Sequence, residues 1–328
     1  MRSTLRRFAA LALAGLLAMA GPASAQTFPS QPIRLIVPSA PGASTDILAR
    51  LLSRIVQEQT GATVVVDNKA GGASTIGVGM AARATPDGYT LVVAHPDALS
   101  IQPALRKDIP YKAERDLEPI AMIAETSWIF VVNPKVLPNV KTMKDLVDLG
   151  KAKPDQIKYA SPGIGTSGHL VDAMLGLHGN AKFFHVPYNG AMPATLAGLS
   201  GEVDFLSSTP ATLEVFLKDG KLRALAFTGA QRSSVLPDVP TMIESGFPDF
   251  TASAWFGIFA PAGLPAGRAA QLEKIFTDAM RTDEYQKKMA ALGFEKRSMN
   301  RGEFAKFLAT DSTRWRGIID AVKVILKE

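Results

Sequence analysis

The sequence predicts an α/β fold of two lobes joined by two strand crossings, and three observations carry that prediction. Apolar, β-branched runs alternate with stretches of helical periodicity through most of the 328 residues, the order that yields parallel sheets covered by helices. The alternation comes in two successive sets. A late apolar run, AWFGIFAP at 254–261, returns to strand pattern after the second set and before a helical tail. A chain of 328 residues also exceeds what one core comfortably serves.

In order, IRLIVPS (33–39) reads as a buried strand. Thr45 to Thr60 follows as a helix, with Ile47, Leu48, Leu51, Leu52, Ile55 and Val56 on one face and Gly61 past its end. ATVVVDN (62–68) is the next strand, KAGGAS a loop, 75–84 a helix, Pro86-Asp87-Gly88 a turn and YTLVVAH (89–95) a third strand. The second set runs WIFVVNP (128–134), a helix from Thr142 to Lys151, IKYAS (157–161), a helix from His169 to His178, and FFHVPYN (183–189). It continues with a helix at 191–199, EVDFLSS (202–208), a helix near 210–218 and LRALAFTG (222–229). Thr241 and Glu244 are spaced as a capping box opening a short helix. The tail predicts helices at 265–281, 283–291 and 301–327, the last opened by Asn300 and Glu303. Lobe 1 is then 26–125 plus 252–328, discontinuous, with lobe 2, 126–251, inserted. The chain crosses near Glu125–Trp128 and again near Thr251–Trp255. Two sequential domains are the alternative.

The first 25 residues have another purpose. MRSTLRR, the 14-residue apolar run FAALALAGLLAMAG and the Ala23-Ser24-Ala25 site form a three-part secretory signal, cleaved after Ala25. The apolar run is too short to span a bilayer, which needs about 20 residues. Losing Arg2, Arg6 and Arg7 lowers the net charge from +6 to +3. No Lys/Arg run suggests nucleic acid. The chain has no cysteine, so an oxidising compartment adds no disulfides and no thiolate metal site exists. An exported protein resting on its core is expected, periplasmic in a Gram-negative source.

Four loops share one design: each follows a strand, is rich in Gly, Ser or Thr, and opens a helix. They are Ser39 to Thr45, Ala70 to Thr75, Ser161 to His169, and Tyr188-Asn189-Gly190-Ala191. Such loops lie beyond the carboxyl ends of parallel strands, where ligands bind, and helix N-termini favour anions. Plain N-caps and turn glycines explain any single loop equally well. Four of them, divided between both lobes, point to a shared anionic ligand. A charge-assisted hydrogen bond is worth ~1.5–3 kcal/mol, so several donors reach the about −8 kcal/mol of micromolar binding without an arginine clamp.

One loop carries a competing signature. Gly163, Gly165 and Gly168 spell G-x-G-x-x-G, the dinucleotide fingerprint. That fingerprint wants an acid at the end of the next strand, where Pro187, Tyr188 and Asn189 stand instead. Catalysis has little support: Ser161, His169 and Asp172 are a local group rather than an oriented triad, and no G-x-S-x-G or H-E-x-x-H occurs. His178 reads as a helix-terminal residue and His185 as a packed strand residue. His95 and His169 stand at strand-to-helix loops and are candidates to face the cleft. Asp204, among Val203 and Phe205, needs a partner: a structural bond to loop N–H groups, or a role in orienting the ligand or its waters.

The stretches VPSAPGASTDILAR, VVVDNKAGGASTIG, ATPDGYTLVVA, YASPGIGTSGHL, FFHVPYNGAMPA, GEVDF, GKLRALAFTGAQR, LPDVPTMIESGF and WFGIFAPAGLP, in this order, resemble the substrate-binding proteins of tripartite tricarboxylate transporters, the Bug family. The resemblance implies a two-lobed periplasmic-binding-protein fold of type II, a Venus flytrap with a two-strand hinge, closing on one small carboxylate. It implies a ligand site of Ser39, Gly42, Ala43 and Ser44; Ser74 and Thr75; Ser161, Gly165, Thr166, Ser167 and His169; and Tyr188, Asn189 and Gly190. Asp204 corresponds to the family's acid after its Gly-x-Val pair. The chain departs from the family pattern at Ala43, at Lys69 to Gly72 and at His95. It is read as a monomeric receptor that hands a carboxylate to integral-membrane transporter subunits, with no cofactor, no metal and no enzymatic activity. The alternatives are a ligand sensor signalling to a membrane receptor, or an exported hydrolase using Ser161 or Ser167.

Overall fold

A computed structural model describes residues 28–295, 297 and 299–323. The secretory segment and the end of the last predicted helix lie outside the described residues. β1 (Ile33–Val37), α1 (Ser44–Thr60), β2 (Val64–Asn68), α2 (Thr75–Ala82) and β3 (Thr90–Ala94) form the first βαβαβ run. β4 (Leu117–Ser127) leads directly into β5 (Ile129–Val132). The second run is α3 (Met143–Ala152), β6 (Lys158–Ser161), α4 (Ser167–Gly179), β7 (Phe184–Pro187), α5 (Ala191–Ser200), β8 (Phe205–Ser208), α6 (Pro210–Lys218) and β9 (Arg223–Phe227). β10 (Ser253–Pro261) and helices α7 (Ala266–Met280), α8 (Asp283–Ala291) and α9 (Arg301–Val322) close the chain.

Two five-stranded sheets result, ordered β2-β1-β3-β10-β4 and β7-β6-β8-β5-β9. Both are mixed, where the sequence predicts parallel. β1 pairs parallel with β2 and β3, because each link is a helical crossover. β10 arrives from the other sheet and runs antiparallel to β3 and β4. In the second sheet β5 is the arriving strand, antiparallel to β8 and β9. Each sheet therefore takes its fourth strand from a segment that has just crossed over.

β1 reads IRLIV and is buried except at Arg34, as a central strand covered on both faces should be. The first core joins Ile36, Val78, Val92, Met122, Trp255, Phe259 and Phe304; the second joins Ile129, Val131, Ala160, Leu206, Leu213 and Phe227.

The eleven-residue β4 has no counterpart in the sequence reading. Glu118, Pro119 and Glu125 interrupt its apolar run; Pro119 is tolerated because β4 is an edge strand. The capping box at Thr241 forms, with Thr241 N–H donating to Glu244 (2.8 Å) and Glu244 N–H to Thr241 Oγ1 (3.1 Å). It opens turns rather than a helix, since Gly246 and Pro248 follow at once.

The crossings lie side by side, with Ser253 opposite Ser127. Buried Thr228 ties them: its Oγ1 accepts from Trp128 N–H (2.9 Å) and donates to the Ala252 carbonyl (2.8 Å).

Candidate functional site

A cleft of about 660 Å³ opens between the two sheets at the carboxyl ends of their strands. Trp128, Ala254 and Phe256, at or beside the crossings, contribute to its lining. Five helices begin at its walls: α1 at Ser44, α2 behind Ser74, α4 at Ser167, α5 at Ala191 and α6 behind Thr209. Each start carries backbone N–H groups without intrahelical partners and a partial positive charge.

On the lobe 1 side, Ala43 has φ −74 and is the N-cap of α1, so its methyl needs no left-handed backbone. Gly42 does sit at φ +83, and a Cβ there would lie 3.0 Å from Met192 Cε. Its N–H is committed to Asp46 (3.0 Å). Burial opposes the Asp46 charge, but hydrogen bonds from Arg50, Gly42 and Asn68 outweigh it and hold the carboxyl below its ordinary range. The second loop is left-handed at four successive residues, Gly71 to Ser74. Ser74 Oγ donates to the Pro38 carbonyl (3.0 Å) and meets His95 Nε2 at 3.0 Å. His95 Nδ1 lies 3.5 Å from Asp97.

Among the described residues, three sets of hydrogen bonds reach across the cleft from one lobe to the other, apart from those at the crossings. Ser44 Oγ meets Thr209 Oγ1 at 2.5 Å. Asp97 Oδ1 accepts from Ser167 N–H (3.1 Å) at the start of α4. Gln102 Nε2 donates to the carbonyls of Gly165 (2.8 Å) and Ile164 (3.1 Å). On the lobe 2 wall, Tyr188 Oη and Ser207 Oγ are buried and face the carboxylates of Glu202 and Asp172. Burial and a hydrogen bond to the Glu202 carboxylate push Tyr188 up to about 12.

Of the residues expected from sequence, Ser39, Ala43, Ser44, Ser74, His95, Thr166, Ser167, Tyr188, Asn189 and Gly190 line this cleft. Gly42, Thr75, Ser161, Gly165, His169 and Asp204 are not on its lining. Thr75 Oγ1 donates to the Gly72 carbonyl (2.7 Å). Ser161 is fully buried and its Oγ lies 2.6 Å from His185 Nε2. His169 is buried beneath the glycine loop, stacked on His185 with ring centroids 3.8 Å apart, and its Nδ1 accepts from Gly165 N–H (3.0 Å). Burial and the neighbouring His185 lower His169 to about 3, and burial lowers His185 to about 4. Asp204 accepts from Lys158 N–H (2.7 Å), a structural bond between strands.

Sequence reasoning missed Asp97, Gln102 and Arg106, which follow β3, and Ser207, Ser208, Thr209 and Thr212 at the end of β8. The run SSTPAT at 207–212 has the same strand-to-helix design as the other four loops and was open to detection. Nothing in PDALSIQPALR (96–106) marks a cleft wall. Arg106 is half-exposed and its guanidinium is held by Asp108 at 3.0 and 2.7 Å. Among the described residues no cluster of His, Asp or Glu is arranged to hold a metal ion, and no helix is long and apolar enough to cross a membrane.

Two α/β lobes, each with one crossed-over antiparallel strand, around a cleft rimmed by helix starts define the type II periplasmic-binding-protein class. More narrowly, the chain belongs to the tripartite tricarboxylate transporter family receptors, whose family model matches residues 48–324. It is 35% identical over 319 residues to protein BugT of Bordetella pertussis, covering 97% of this chain and 96% of that protein. An R. palustris protein solved with adipate superposes with a TM-score of 0.87 at 25% identity, covering 90% of this chain and 98% of that one. MatC from Rhodopseudomonas palustris, solved with bound malate, gives 0.82 at 26% identity, covering 89% and 100%. The chain is thus a periplasmic solute-binding receptor.

Proposed function

We propose that the protein captures one small organic carboxylate between its lobes and hands it to the membrane subunits of a tripartite tricarboxylate-type transporter. The observation that carries this reading is a cleft whose opposing walls are helix N-termini. Neutral donors at helix starts suit a carboxylate. The relatives solved with adipate and malate support the ligand class. Lobe 1 is 26–125 plus 252–328 and lobe 2 is 126–251, with export by a signal cleaved after Ala25 and a monomer as the working state. The site acts by closure and not by catalysis: Ser161, the hydroxyl paired with a histidine, is buried away from the cleft lining.

Thermal melting against a panel of mono-, di- and tricarboxylates tests the reading. At least one acid raises the melting temperature by several degrees at a hundredfold excess over its Kd, about 2.7 kcal/mol of linkage. A panel without any such acid would sink it.

A further inference from the structure

Resting on that reading, we infer that Asp97 sets which carboxylate is taken: a monocarboxylate whose far end carries a hydrogen-bond donor, such as an amide, hydroxyl or ammonium, and not a di- or tricarboxylate. Among the described residues of the cleft lining, Asp97 is the one acid and Arg106 the one strong base. Arg106 is half-exposed and already engaged by Asp108. Asp97 is 95% buried, being only 5% exposed. Its Oδ1 caps α4 through Ser167 N–H and faces His95 Nδ1 at 3.5 Å. Its Oδ2 makes no hydrogen bond among the described residues.

The consequence is a cleft with polarity. The starts of α5 at Ala191 and of α6 behind Thr209 lie on the lobe 2 wall and suit an anion. The start of α4, otherwise an anion site of the same wall, is filled by the chain's own carboxylate. A second ligand carboxylate near Asp97 meets a fixed like charge in a poorly solvated cleft, where repulsion is far stronger than in water. His95 has no free nitrogen to offer the ligand. Ser74 gives its single hydroxyl proton to the Pro38 carbonyl, so His95 Nε2 must donate to Ser74. Its other nitrogen already faces Asp97. A donor group on the ligand would instead satisfy Oδ2 and leave no buried charge unpaired.

Calorimetric titration of matched pairs tests the assignment: succinate against succinamate, glutarate against glutaramate, and adipate against adipamate. The wild-type protein should bind the amide acid of a pair at least tenfold more tightly than the diacid. Asp97→Asn keeps a carbonyl for Ser167 N–H while removing the charge, and should narrow the ratio to threefold or less by improving the diacid. A wild-type ratio near one, or one favouring the diacid, overturns the inference even if the variant does not fold. So does a ratio unchanged in a folded Asp97→Asn protein. If none of the six binds, the inference falls; the reading beneath it falls only if every acid of the wider melting panel fails as well.

Discussion

His169 shows how a residue beside a site serves it without touching a ligand. Its ring lies flat against His185, and its Nδ1 holds the Gly165 N–H, fixing the glycine loop from below. That bond requires an unprotonated Nδ1, and burial lowers the ring to about 3. The folded pKa is below the unfolded value of about 6.5. Its contribution to stability is therefore present above pH 6.5 and is lost as the pH falls toward 3. Between pH 6.5 and 5 the loss is about 2 kcal/mol if the folded ring stays neutral. In His169→Asn the amide oxygen can take over the Gly165 bond and nothing titrates. Urea unfolding at both pH values should show the wild type losing about 2 kcal/mol more than the variant; equal losses would contradict this account. Asp172 is the residue-scale counterpart. Burial drives its carboxyl well above the ordinary range, outweighing the hydrogen bonds from Ser207.

Among the elements, the two crossings and Thr228 matter most. Replacing Thr228 by Val keeps the shape but leaves the Trp128 N–H and the Ala252 carbonyl without their hydroxyl partner in a buried position. The cost should be about 2 kcal/mol, the desolvation penalty of unpaired buried groups, seen as a lower urea midpoint at unchanged slope. A midpoint within error of the wild type would show that the hydroxyl is not a tie. Elements also differ in how openly the sequence announces them. β1 and β3 are apolar apart from Arg34 and Thr90 because helices cover both faces of their sheet. β4 is hidden because an edge strand can carry Pro119 and because Glu125 answers to Arg297 at 2.8 Å, 172 residues away. No local pattern encodes such a partner. The strand-to-helix loops are visible locally, since glycine and small hydroxyl residues are demanded by the turn itself.

At the scale of the whole molecule, closure depends on a few bridges, and Gln102 contributes one with two donated hydrogen bonds. Gln102→Ala removes two donated bonds, each worth about 1 kcal/mol. Only the closed state makes them. For any acid that the wild type binds, affinity should fall about tenfold or somewhat more. Because the bridge holds the lobes together across the cleft, stopped-flow measurements should place the loss in the dissociation rate. A loss confined to association would show that Gln102 guides entry instead of holding the lobes together.

Periodicity and turn chemistry, which act within a few residues, determined the α/β alternation, the two sets of strands and the glycine loops before any coordinates. They also marked the loops that hold Ser39, Ser44, Ser74, Ser167, Tyr188 and Asn189, because helix starts after strands are local features; the resemblance to the family picked out the residues. Tertiary structure alone decided which of those groups share a cleft. It turned Ser161, His169 and Asp204 inward as supports and brought Asp97 across to the start of α4, 70 residues away. It also set Thr209 against Ser44 over a separation of 165 residues. The physical reason is range. A cap or a turn is satisfied by its neighbours, whereas a cleft is made by two sheets whose strands exchange partners across the crossings, and no stretch of chain contains both walls.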